Sequence, residues 1–192
     1  MMASVLTDSE LLVGSADPDT FGELYERHGV AVRRYVVRRV GLTEAEDIAA
    51  ETFIRAFRDR SRFRPIRESA LPWLLGIANH VIGDHWRAER RRLAMLERLA
   101  KSDLEVVDLP ELGLMPELIR ALRGLKPIDR DTLLLMAWGE LTRDEVAAAL
   151  AIPVGTVNSR IARARKHLAT GLGWPQGQNT VELKGEAHGR ST

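Results

Sequence analysis

The sequence predicts an all-α fold: two small helical domains joined by an acidic flexible linker, the C-terminal one containing a helix-turn-helix. Three observations carry this. Apolar residues recur at steps of three and four through most of the chain. A stretch from about Lys101 to Pro116 is acidic, holds two prolines and lacks a helical period. Between Leu141 and Leu168 two short helical patterns meet at Pro153, which tolerates a helix start but not its interior.

Residues 1–18 read as a flexible lead-in, and a first domain is expected over 19–92. From Asp19, Phe21, Leu24, Tyr25, His28 and Val32 share one side, continued by Val36 and Val40, and Gly41 closes the helix. His28 lies in that apolar set without a spaced partner, so it reads as a satisfied boundary residue rather than a ligand. Thr43 with Glu46 has the spacing of a capping box, opening a helix to about Arg60 in which Ala49, Phe53 and Ala56 mark the buried face. Asp47, Glu51, Arg55 and Arg58 line up on its polar ridge. That ridge reads either as an intrahelical charge ladder, worth roughly a few tenths of a kcal/mol per pair, or as a protein-docking face.

Arg62 to Ala70 is a basic loop carrying Phe63 and broken by Pro65, a mixture that can stack on and hold an unpaired base. Pro72 then opens a long helix. Its apolar set, Leu74, Ala78, Val81 and His85, leaves a polar flank with Asn79, Asp84, Trp86, Arg87, Arg90 and Arg91. Trp73, beside Leu74 and Ile77, reads as core packing, whereas Trp86 stands among arginines. The linker is placed at 93–116, the second domain at 117–171, and a polar, Gly-rich, disordered tail at 172–192.

In the second domain a helix with Leu118 and Leu122 precedes a break at Gly124 to Pro127, and another spans Asp129 to Trp138. Thr142 with Glu145 repeats the capping-box spacing and opens an alanine-rich helix to Leu150. Beyond Pro153, Val157, Ile161, Ala164 and Leu168 form one apolar stripe. The remaining faces carry Asn158, Ser159, Arg160, Arg163, Arg165, Lys166 and His167 with no acid among them. Docked by its stripe, such a helix offers donors to phosphates and base edges; alone, it would read as an ordinary solvated basic helix.

The chain has 192 residues, 45% of them hydrophobic, and a formal charge of +1. The near-neutral total hides segregation, with arginines clustered at 87–92 and 160–165 and acids between Glu97 and Glu117, so it does not exclude a nucleic-acid partner. There is no cysteine, which excludes disulfides, thiolate metal sites and internal thiol sensing. Neither a secretion signal nor a membrane span is read, so membrane insertion is not expected and a cytoplasmic location is. No cofactor is expected.

Taken in order, AEDIAAETFIRAF at 45–57, ALPWLLGIANHVIGDHWRAERRR at 70–92 and LTRDEVAAALAIPVGTVNSRIARARKHL at 141–168 resemble the bacterial sigma factors of the extracytoplasmic-function (ECF) group. The resemblance spans roughly 19–170. It implies a non-enzymatic subunit that binds core RNA polymerase (clamp helices and flap) and promoter DNA, with an anti-sigma factor as a further partner. Core binding would fall to Asp47, Glu51 and Arg55, with Phe53 holding their helix. Opening of the −10 element would fall to Phe63, Asn79, Asp84, Arg87 and Arg90, and duplex reading at −35 to Thr156, Asn158, Ser159, Arg160 and Arg163. Asn158 stands where Arg or Lys is frequent in the family, which shifts the expected base preference towards adenine. Two other readings follow from the residues: a free-standing dimeric helix-turn-helix regulator, and a metal-dependent nuclease using Asp47, Glu51 and Asp84.

Overall fold

In the computed structural model the described residues, 6–13, 18–64, 69–100 and 114–173, are helical throughout apart from short connections. The elements are α1 (Asp8–Val13), α2 (Pro18–Val40), α3 (Ala45–Asp59), α4 (Leu71–Ala100), α5 (Pro116–Arg123), α6 (Pro127–Ala137), α7 (Arg143–Leu150) and α8 (Val154–Gly171), with a single 3-10 turn at Arg60–Arg62. The middle of the expected linker, 101–113, and the tail from 174 lie outside the described residues. The early part of that linker does not behave as one, because α4 continues past Arg92 to Ala100.

The expected flexible lead-in contains α1. Leu11 and Leu12 are buried, and Asp8 is only 4% exposed. Its carboxylate accepts the Ala70 N–H at 2.7 Å, lies 2.6 Å from His28 Nε2 and takes an N–H from Arg27 at 3.1 Å. Burial alone would push this carboxyl up. The Ala70 amide, His28 and Arg27 more than offset it, leaving the group below the ordinary carboxylate range. His28 is thus a satisfied boundary residue. Asp8 joins the entry of α4 to the middle of α2.

The N-terminal domain is α1 to α4, with α2, α3 and α4 packed against one another. Leu24, Val32, Tyr35, Val36 and Val40 of α2 are buried, and Gly41, at φ 89°, takes the left-handed turn that ends the helix. Phe53 fixes α3 to α2 through edge contacts with Tyr25 and Phe21, at 4.9 and 6.4 Å between centroids. The capping box expected at Thr43 and Glu46 does not form: α3 starts at Ala45 without a side-chain cap. The Glu46 carboxylate instead takes the Arg33 Nε–H at 2.5 Å.

The C-terminal domain is α5 to α8, with α5 and α6 packed on α8. Leu122, Leu125, Leu134 and Ala164 form a small core of their own. Leu135, Leu141, Val146, Val157 and Ile161, by contrast, belong to the same buried cluster as the N-terminal domain. The two domains therefore share a core, with α4 packed against α7.

Candidate nucleic-acid and protein interfaces

The helix-turn-helix forms as its residues require. Thr142 Oγ1 accepts the Glu145 N–H at 3.3 Å, and Glu145 Oε2 accepts the Thr142 N–H at 2.8 Å, so both limbs of the capping box are present. Helix α7 ends at Ala151, which adopts φ 52°, and Pro153 caps α8. A left-handed alanine is uncommon because its Cβ crowds the following carbonyl. Here it reverses the chain between the two helices. Val157, Ile161 and Ala164 are buried, while Asn158, Ser159, Arg163, Arg165, Lys166 and His167 are exposed and Thr156 and Arg160 half-buried. This is the division the apolar stripe predicts.

Two of the five residues expected to read the duplex also hold α8 to α6. Arg163 donates from Nε and Nη2 to both oxygens of the buried Asp129, at 3.1 and 2.7 Å. Arg160 Nη1 reaches Thr132 Oγ1 at 3.5 Å. A bidentate Arg–carboxylate pair of this kind fixes geometry as well as charge. Among the described residues, Asn158 and Ser159 carry no such tie to another helix.

On the N-terminal domain the ridge of α3 is a ladder that leaves its helix. Asp47 is exposed. Arg55 donates to Glu51 at 2.7 Å and, across the helix pair, to Asp84 of α4 at 2.7 Å; Asp84 in turn pairs with Arg87. Arg55, followed by Arg87, holds the Asp84 carboxyl below its usual range despite partial burial. Residues expected to dock a protein and residues expected to meet DNA thus form one chain of charges: Glu51, Arg55, Asp84, Arg87. Arg90 lies exposed one helical turn further on.

Two expected DNA contacts are not presented to solvent. Phe63 is 3% exposed, packed edge-on against Trp73 of α4 at 5.2 Å, so it is not presented to a base. Asn79 is 6% exposed, and its Oδ1 accepts from Tyr35 Oη at 3.2 Å and Arg39 Nη1 at 2.8 Å. The helical period puts Asn79 on the polar flank because local spacing takes no account of a buried Arg39. The signal was present: an arginine between Val36 and Val40 interrupts an apolar stripe and needs a partner. Burial also lifts the Tyr35 hydroxyl to about 12, so it remains a donor. Trp86 packs on the shared core with its ring edge-on to His85.

The acids of the nuclease reading do not converge as a metal site. Arg55 fills the space between Glu51 and Asp84 that a cation would need, and among the described residues no group of three or more His, Asp or Glu side chains is placed to hold a metal ion.

Comparison with known proteins follows the same division. Residues 24–92 match the model of sigma-70 region 2, and residues 116–168 match sigma-70 region 4. The chain is 37% identical over 142 residues to the ECF RNA polymerase sigma factor SigC of Mycobacterium tuberculosis, covering 71% of this chain and 75% of that one. The chain belongs to the ECF RNA polymerase sigma factors. The ECF RNA polymerase sigma-E factor of Haemophilus influenzae is 32% identical over 181 residues, with 86% of this chain and 95% of the relative covered. Among solved structures, that of CnrH in complex with the cytosolic domain of CnrY aligns at a TM-score of 0.59 and 27% identity, over 86% of this chain and 97% of CnrH. As a sigma factor the chain directs promoter-specific transcription and leaves the chemistry to the polymerase. Among the described residues no helix is long and apolar enough to cross a membrane.

Proposed function

We propose that this sigma factor docks on core polymerase through Asp47, Glu51 and Arg55, with Phe53 seating α3, and engages the −10 element through Asp84, Arg87 and Arg90. Phe63 and Asn79 act from behind that surface, Phe63 by bracing Trp73. The −35 duplex is read by α8 through Thr156, Asn158 and Ser159. Arg160 and Arg163 add phosphate contacts while holding the helix to α6. Two weak DNA readers on one polymerase reinforce each other by effective concentration. The observation that carries this reading is the continuous chain Glu51–Arg55–Asp84–Arg87, which lets one face serve a protein at one end and DNA at the other.

The site of action is the cytoplasm, with the polymerase. CnrH, a solved relative, is in complex with the cytosolic domain of CnrY, and the sigma factor RpoE of Bartonella quintana with the anti-sigma factor NepR, which supports an anti-sigma partner for this chain as well. The test compares two substitutions in the full-length protein. Glu51→Ala weakens association with core polymerase and leaves duplex binding intact, whereas Asn158→Ala weakens duplex binding by about 1–3 kcal/mol and spares core association. Equal impairment of one step by both would overturn the division of labour.

A further inference from the structure

Helix α1 belongs to neither the docking ridge of α3 nor the basic flank of α4, yet it carries a buried carboxylate. Six residues are too few to hold a helix by themselves. Two local features and one distant one hold this helix. Thr7 and Glu10 form a capping box, with the Thr7 N–H on Glu10 Oε2 at 2.7 Å and the Glu10 N–H on Thr7 Oγ1 at 3.3 Å. Leu11 and Leu12 are buried in the cluster that contains Leu24, Phe63 and Ala70. The distant feature is Asp8.

Asp8 acts where α4 begins. The Ala70 carbonyl accepts the Leu74 N–H at 3.0 Å, opening that helix, so residue 70 stands at its N-cap, where alanine has no side-chain oxygen to offer. Ser69 Oγ takes the Leu71 N–H at 3.2 Å, and Pro72 has no N–H to place. The Ala70 N–H goes to Asp8 Oδ2, 62 residues away in the chain, at 2.7 Å. A carboxylate at a helix N-terminus is also favoured by the helix dipole. His28 and Arg27 of α2 hold it from the other side.

The same helix packs on the Arg60–Arg62 turn. It therefore grips the chain on both sides of the passage from α3 to α4: the turn and Phe63 before it, Ala70 after it. Arg62 and Arg64 stand exposed beside this grip, and Trp73, in the first turn of α4, leans on Phe63. Further along, α4 is held by the other domain, where a Cβ on Gly76 would lie 2.2 Å from the carbonyl oxygen of Ala149 in α7. The grip of α1 lies within the N-terminal domain and does not depend on α7.

We propose that Asp8 is a positioning residue for strand opening, through which α1 holds the Arg60–Arg62 turn and the entry of α4 in one fixed relation, so that Arg62, Arg64 and Trp73 meet the opened strand already in place. The proposal rests on the strand-opening role given above to the N-terminal domain. A site ordered before its ligand arrives spares the entropy of ordering it on binding. Without Asp8 the Ala70 amide loses this acceptor, and the turn loses its link to the helix entry.

Two substitutions in the full-length chain test this. Asp8→Ala removes the acceptor, whereas Asp8→Asn keeps one and removes the charge. In the free protein, amide exchange followed by NMR should be about tenfold faster at Ala70 in Asp8→Ala and unchanged in α5 to α8. In holoenzyme with core polymerase, fluorescence anisotropy reads binding of the labelled non-template −10 strand of a promoter that the parent opens. Asp8→Ala should bind this strand about tenfold more weakly and Asp8→Asn about threefold, while core association and −35 duplex binding match the parent. Unchanged exchange at Ala70 overturns the grip, and faster exchange with unaltered single-strand binding overturns its role in opening. Equal losses in single-strand, duplex and core binding would reduce Asp8 to a general support of the fold and overturn the proposal. Failure of the parent holoenzyme to bind the single strand would instead overturn the strand-opening reading, while exchange at Ala70 still judges the grip.

Discussion

The face proposed for strand opening and the helix proposed to read the duplex are both basic, both helical and both set on an apolar stripe, yet they are presented differently. On α8 the central polar residues Asn158 and Ser159 stand in solvent, and the scaffold beneath them is held by Asp129 and the buried stripe. On the N-terminal domain Asn79 and Phe63 are inside, and Asp84 and Arg87 are occupied with Arg55 and with each other. A duplex presents its edges ready-made, so a rigid exposed reader suits it. An unpaired base appears only as DNA opens, and under the proposed roles it would meet Asp84 and Arg87 already paired with neighbours and Arg90 standing in solvent.

The strongest way to break this comparison is to ask whether the domains are separable units at all. Leu135 is fully buried in the core they share. Leu135→Ala should cost about 2–5 kcal/mol, and in thermal unfolding it should shift the whole transition. If only one of two resolved transitions moved, the shared core would contribute nothing and the faces would be independent. A smaller effect sharpens the exposed side. Asn158→Arg should move preference at one −35 base pair from adenine to guanine by about 1–3 kcal/mol, read by competition between duplexes. Unaltered preference would mean Asn158 does not face a base edge.

The smallest effect concerns the covered side, where Asp8 secures the entry of α4. The folded-state pKa of Asp8 lies below its ordinary value of 3.8, so its stabilisation is present above that value and is lost as pH falls through the depressed pKa. Asp8→Asn keeps an acceptor for the Ala70 amide and should cost about 1 kcal/mol at neutral pH. Denaturation at a series of pH values should show the gap between parent and variant closing in acid. A gap of constant size would remove the charge from the account.

What was legible in the sequence was local. The box at Thr142 and Glu145, the break at Pro153 and the stripe from Val157 to Ala164 depend on residues within a turn or two of one another, and each forms as read. The same box signature at Thr43 and Glu46 fails because α3 starts at Ala45 with Glu44 at its N-cap, which puts Thr43 out of register, and Glu46 pairs with Arg33 of the preceding helix. The ridge from Glu51 to Arg55 was visible, but its continuation to Asp84 needs α3 and α4 laid side by side. The burial of Asn79 and the domain contact are hidden for one reason: Asn79 pairs with Arg39, and Arg39 with Asp131, across helices far apart in the chain. Helix α1 is not legible in the sequence because six residues carry too little period, although Leu11 and Leu12 are among the most buried side chains.

Gly76 gives the molecule a distinctive genetic signature. In the second turn of α4 another residue would favour the isolated helix, but its Cβ would lie 2.2 Å from the Ala149 carbonyl oxygen, so screens for folding should find glycine alone accepted at this codon.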